Sequence, residues 1–210
     1  MDADLTPEMR EKKSADAQLA ERAALRRSLI ALRQALSASD CAQLSAEVRR
    51  NLSNAFPQLA GMRVAFCWPV NKEPDLRPLL EAWISDARPG FSALLPVVTG
   101  ASSALAFRAW TIETKLENDR YGIPTPASGE FVTPEALLLP VNAFDAAGYR
   151  IGYGGGYFDR TLAAFKAQGL QPLVIGVGFE LARVDSIQPM PHDCPLDAVV
   201  TEAGVFPTGK

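Results

Sequence analysis

Residues 135–165 read EALLLPVNAFDAAGYRIGYGGGYFDRTLAAF, and the order of their chemistry points to a fold. "EALLLPV" (135–141) is a short unbroken apolar run, the pattern of a strand buried on both faces. The stretch continues into four glycines within five positions: Gly152, Gly154, Gly155 and Gly156. "YFDRTLAAF" then sets Phe158, Leu162 and Phe165 on one side of a helix that Gly169 closes. Strand, glycine-rich loop and amphipathic helix in that order make one unit of a parallel α/β sheet.

The same alternation extends outward. Leu25, Leu29, Leu32 and Leu36 recur every three or four residues, which predicts a helix over 16–36; a second, capped by Ser39 or Asp40, runs to about Leu52. "MRVAFCWPV" (62–70) predicts a buried strand, "PDLRPLLEAWISDA" (74–87) a short helix, and "FSALLPVV" (91–98) a second buried strand. "ALAFRAW" (104–110), "PLVIGVGF" (172–179) and "DAVVTE" (197–202) complete the strands, with a proline-rich loop over 122–134. Strands alternating with helices imply an α/β fold: a mostly parallel sheet covered on both faces, forming one domain over 16–210 behind a flexible segment 1–15. Ligands of such sheets sit beyond the carboxyl ends of the strands, where "WPVNKEPD" (68–75) and "VNAFDAAGYRIGYGGG" (141–156) lie.

Composition narrows the function. The 210 residues suffice for a real core, and 48% apolar with 21% charged residues is an ordinary globular balance. A net charge of −3 argues against nucleic-acid binding but leaves room for a local basic pocket. The three cysteines, Cys41, Cys67 and Cys194, form neither a metal pattern nor a disulfide framework. With no membrane-length apolar run and an acidic, polar start, the expectation is a soluble cytoplasmic protein without membrane partners.

The glycine run is neither of two common phosphate motifs. Counted from Gly152, the sixth position of a dinucleotide fingerprint is Tyr157 rather than glycine, and no Lys-Ser/Thr pair completes a P-loop. What remains is a glycine-rich loop opening a helix, whose amides and dipole receive an anion, with Arg150 and Arg160 on either side. Asp159, in the first helical turn, either complements the dipole or binds Mg²⁺, with a second carboxylate from Asp193 or Asp197. Arg22, Arg26 and Arg33 fall within about 40° of one another on a helix, as surface charges or as phosphate partners. Trp68 offers a stacking face and Glu73 a hydrogen-bond acceptor for a heterocycle, although a packed Trp and a solvated Glu have the same sequence signature. The lone histidine, His192, has no triad partner in the sequence, so little supports it as a general base.

Taken together, these residues resemble the 5-formyltetrahydrofolate cyclo-ligase family. The resemblance is sharpest in "LLLPVNAFDAAGYRIGYGGGYFDRTLA", and "RAALR", "WPVNKEPD", "RYGIPTP" and "PHDCPLDAVVTE" follow in the family's order. It implies a three-layer α/β/α open sheet of Rossmann-like topology with N-terminal helices. It also implies an ATP- and Mg²⁺-dependent ring closure giving 5,10-methenyltetrahydrofolate, ADP and phosphate. There the formyl oxygen takes the γ-phosphoryl group before N10 closes the ring. By the resemblance, Arg22, Ala23, Ala24, Leu25 and Arg26, with Arg150, Ile151, Gly152, Tyr153, Gly154, Gly155, Gly156, Tyr157 and Phe158, bind ATP. Trp68, Glu73, Tyr121, Gly154, Gly156 and Tyr157 bind the folate, Arg150 and Tyr157 are catalytic, and Asp159 and Asp193 hold Mg²⁺, with Asp145 and Asp197 as competing second ligands. The implied partners are these small molecules alone, on a monomer or weak dimer. Two departures stand out: Arg22 where lysine is common, and Thr125–Pro126 where glutamate–proline usually follows "GIP".

A sugar-phosphate isomerase or acyl-CoA transferase on a similar sheet would want a carboxylate in the glycine loop, and 150–158 contains none. A non-catalytic folate binder would be signalled by loss of Asp159, the arginines or Glu73, all of which are present.

Overall fold

The computed structural model describes residues 7–191 and 193–208. Of the segment 1–15 expected to be flexible, residues 1–6 lie outside the described residues, as does the reading of His192, while residues 7–15 are helical, so the first helix begins nine residues ahead of its expected start. The elements in chain order are α1 (Pro7–Ala35), α2 (Ala38–Ala55), β1 (Arg63–Ala65), α3 (Arg77–Ser85), β2 (Ser92–Val97) and β3 (Ala106–Trp110). They continue with β4 (Leu116–Asn118), β5 (Pro124–Pro126), β6 (Ala136–Pro140), β7 (Ala143–Phe144), β8 (Arg150–Ile151), α4 (Tyr157–Ala167), β9 (Leu173–Val177), β10 (Ala198–Thr201) and β11 (Gly204–Pro207).

Seven strands form the central sheet in the order β11-β10-β9-β6-β1-β2-β3. The five inner strands are parallel, and antiparallel β3 and β11 close the two edges. The continuous apolar run at β6 has its cause here: alternate residues face opposite layers, and both are buried. Ala136 and Leu138 pack with Val48 and Leu52 of α2 and Leu80 and Trp83 of α3. Leu137 and Leu139 pack with Phe158, Leu162 and Phe165 of α4 on the other side. The result is a three-layer α/β/α sandwich.

Local chemistry fixes the helix ends. Ser37 caps α2 by accepting from the Asp40 amide, two residues ahead of the expected Ser39. At the end of α4, Gly169 adopts φ +72° and donates to Lys166 O while Leu170 donates to Phe165 O, the paired bonds of a Schellman stop.

From β1 the chain moves one way across the sheet through β2 to β3, and from β6 it moves the other way through β9 to β10. The topological switch point therefore lies between β1 and β6, where a crevice opens beyond their carboxyl ends. Helix α1 lies over that end. Leu29 packs on Ala143, Ile151 and Ile187 of the loops there, with Leu25 beside it, while Leu32 stays 57% exposed. Among the described residues no helix is long and apolar enough to cross a membrane.

Candidate active site

Two loops meet at the switch point, one after β1 (66–75) and one after β6 (141–156). The second turns through the β7–β8 hairpin and delivers the glycines to α4. Gly156, the residue before α4, is left-handed at φ +66°, and no side chain among the described residues caps the helix. Its N-terminal amides are thus left uncapped at the dipole's positive end, where an anion is received. Gly154 has φ +90°, and a Cβ there would lie 2.8 Å from Arg26 Nη1, so the Arg26 guanidinium rests directly on the loop backbone. Gly152 has no positive φ, and no atom of the described residues lies within 4 Å of where a Cβ would sit. Arg160 bonds Gly155 O through Nη2 at 2.8 Å and lies over the Tyr157 ring.

The two candidate metal carboxylates are each held by an arginine. Arg150 Nη2 donates to Asp159 Oδ1 at 2.9 Å, and its Nη1 donates to Cys194 O at 3.2 Å. Asp193, next to Cys194, forms an ion pair with Arg22 Nη1 at 2.8 Å. Arg150 therefore brings Asp159 beside the segment that carries Asp193. The other two carboxylates are committed elsewhere. Asp145 accepts from the amides of Ala147, Tyr149 and Ile187 and organises the loop itself. Asp197 accepts from the Val174 amide ahead of β10, at the opposite end of the sheet.

On the β1 side, Glu73 is 4% exposed. Its Oε2 accepts from the Val70 amide at 3.0 Å, its Oε1 from the Tyr153 hydroxyl at 2.5 Å, and Arg33 Nη2 lies 3.8 Å from Oε1. Burial nevertheless pushes the carboxyl pKa up, outweighing the lowering from these partners. Arg33 also donates to Tyr153 Oη at 3.0 Å and through Nε to Asn71 O at 2.8 Å. Asn71 and Lys72 are consecutive left-handed residues, and the Lys72 ammonium caps the α1 C-terminus at Gln34 O and Leu36 O. Beneath them is a small cavity lined by Cys67, Glu73, Pro74, Leu76, Leu138, Pro140 and Val177. Burial, then Glu73, raises the Cys67 pKa, which keeps the thiol protonated.

The remaining expected residues lie around this core. Tyr121 and Tyr157 share a 2.9 Å hydroxyl contact that raises the Tyr157 pKa, and their rings meet edge on. Trp68 has the Arg77 guanidinium 4.6 Å from its ring centroid and Trp110 against its edge. Thr125 is buried and donates to Pro96 O, a structural use of the position where glutamate was expected. The helical spacing of Arg33 placed it on the face of Arg22 and Arg26, but its bond to a residue of the glycine loop had no local signal. Asn142, at the carboxyl end of β6, is 1% exposed, and neither polar atom of its amide has a partner among the described residues.

Within an acidic chain, five arginines (Arg22, Arg26, Arg33, Arg150, Arg160) meet three carboxylates (Glu73, Asp159, Asp193) in one crevice. Such an arrangement defines an α/β protein with an anion-receptive cleft at its switch point. The chain belongs to the 5-formyltetrahydrofolate cyclo-ligase family, whose model matches residues 18–202. It is 29% identical over 181 residues to the 5-formyltetrahydrofolate cyclo-ligase of Escherichia coli strain K12, covering 83% of this chain and 96% of that one. The Haemophilus influenzae cyclo-ligase is 24% identical over 182 residues, 84% of this chain and 95% of the relative. Among solved structures, Aquifex aeolicus 5,10-methenyltetrahydrofolate synthetase superposes with a TM-score of 0.76 at 28% identity, over 90% of this chain and 93% of that one.

Proposed function

We propose that this cyclo-ligase uses ATP and Mg²⁺ to close 5-formyltetrahydrofolate to 5,10-methenyltetrahydrofolate. The observation that carries this reading is the contact between the two loops: Tyr153 of the glycine loop reaches Glu73 of the β1 loop. A phosphate cradle and a heterocycle acceptor are thus contiguous, as transfer of a phosphoryl group onto a folate oxygen requires.

The overall balance is simple. The formyl oxygen bonds the γ-phosphorus as the bond to ADP breaks. N10 then attacks the formyl carbon, its proton leaves, and the carbon–oxygen bond breaks to release phosphate. No protein nucleophile is needed, which suits a site built of fixed charges. The loop from Arg150 to Phe158 receives the phosphates through backbone amides, with Arg26 and Arg22 adding charge from α1. Arg150 and Tyr157 stand where charge develops on the transferring group. Trp68, Glu73 and Tyr121 bound the folate side, with Glu73 accepting from the pterin. The residues fit a magnesium ion: Arg150, bonded to Asp159 and to Cys194 O, sets Asp159 beside the segment that carries Asp193, and the two carboxylates complement phosphate oxygens as ligands. Bound there, the ion would neutralise phosphate charge; Arg150 and Arg22 hold both carboxylates in place for it.

The test is direct. Protein, 5-formyltetrahydrofolate and Mg²⁺ should give methenyl absorbance only when ATP is added. Absorbance without ATP, or none with it, would sink the reading.

A further inference from the structure

Tyr153 belongs to two sites at once. Its backbone lies in the glycine loop between Gly152 and Gly154, while its hydroxyl joins the hydrogen-bond network of the β1 loop. That hydroxyl donates to Glu73 Oε1 at 2.5 Å and accepts from Arg33 Nη2 at 3.0 Å, with Asn71 Nδ2 at 3.4 Å. The other Glu73 oxygen is taken by the Val70 amide. With Glu73 4% exposed and the Tyr153 hydroxyl covering Oε1, a heterocycle reaches that oxygen by displacing the tyrosine. Its replacement must do what the hydroxyl does, giving a proton to Glu73 and accepting one from Arg33. An N–H beside a carbonyl meets that demand, and the lactam edge of a pterin, N3–H next to O4, is such a pair.

We propose that the Tyr153 hydroxyl stands in for the lactam edge of the folate's pterin, that Arg33 reads O4, and that folate entry therefore releases the glycine loop. This rests on the reading of Glu73 as the pterin's partner. The geometry around the tyrosine suits an exchange. Tyr153 is 43% exposed and flanked by glycines, so its ring leaves without unpacking the core. Arg33 and Glu73 stay in place when it does, because Arg33 Nε is fixed on Asn71 O and Lys72 anchors the loop to the end of α1. The exchange makes Tyr153 a gate: occupancy of the pterin pocket changes the loop that cradles phosphate, and linkage requires the reciprocal effect.

The experiment compares wild type with Tyr153→Phe, binding 5-formyltetrahydrofolate with and without a non-hydrolysable ATP analogue, folding being checked by circular dichroism. Without nucleotide, Tyr153→Phe should bind the folate about tenfold more tightly, the scale of one hydrogen bond to a carboxylate that no longer competes. The factor by which folate and nucleotide change each other's affinity should fall towards one. Equal or weaker folate binding, or an unchanged coupling factor, would overturn the gate. Glu73→Gln separates the two levels of the argument. It should weaken the folate, and if it does not, the reading of Glu73 itself has failed. Arg33→Met should narrow the preference for a 4-oxo over a 4-amino pterin, and an unchanged preference would remove Arg33 from O4.

Discussion

Arg150 Nη2 lies 2.9 Å from Asp159 Oδ1, so the residue just ahead of the glycine loop is bonded to the one just behind it. The loop hangs from this clasp, and the arginine is buried while the carboxylate is partly open. An ion entering beside Asp159 would draw on the same oxygens.

Asp159→Asn should therefore act twice. The Mg²⁺ concentration needed for half-maximal activity should rise, because the amide is a weaker ligand than a carboxylate. Stability should fall by about 1–3 kcal/mol, since a buried guanidinium loses a charged partner. A magnesium titration and a denaturant melt read the two effects; unchanged metal dependence would take Asp159 out of the metal site.

The glycines of the loop should not be equivalent. Gly154→Ala meets both a left-handed φ and the Arg26 guanidinium and should impair ATP binding, while Gly152→Ala meets neither and should be tolerated. Nucleotide affinities of the two variants make the comparison, and equal effects would argue against a cradle shaped by Arg26.

Glu73 predicts a pH dependence of stability. Burial raises its pKa in the folded state, so above the ordinary glutamate value the folded protein holds a proton that the unfolded chain has lost. Its contribution is full below the unfolded pKa and declines as pH rises through the folded one. Glu73→Gln should remove that decline. Melting temperatures of the two proteins, followed upward from the usual carboxyl range, should diverge in favour of the variant, and parallel curves would contradict the assignment.

Asn142→Leu should stabilise the protein. The buried amide has no partner among the described residues, and an apolar side chain of similar size removes an unmet polar cost on the order of 1–3 kcal/mol. Thermal melting decides it; a lower melting temperature would mean that the amide is satisfied.

The sequence made the sheet legible where burial was complete. β6, β9 and β2 read as strands because both of their faces are covered, which turns alternation into a continuous apolar run. β1 spans only three of the nine residues that looked like strand, since Pro69 and the turn at Asn71 bend the chain away early. The β4–β5 and β7–β8 pairs are two or three residues long, too short for any period to register. α1 was found, but Leu32 was expected in its seam and is exposed. A helix lying over the loops at a sheet's end buries arginines as well as leucines, and Arg33 is 3% exposed. The glycine loop and its flanking charges were visible because they are contiguous. The bond from Tyr153 to Glu73 was not, because it joins residues 80 positions apart that only the parallel crossover brings together.

Helix α1 has a consequence for substrate length. One rigid rod carries Arg22 at the Asp193 end, Arg26 on the glycine loop and Arg33 at Glu73. Eleven residues at about 1.5 Å each set Arg22 and Arg33 about 16 Å apart along the axis. The helix is in effect a ruler laid across the crevice, fixing how far the Asp193 end can stand from the Glu73 end. A single residue inserted between Arg26 and Arg33 would turn one end by about 100° and leave the two halves of the site unable to face the same pair of molecules.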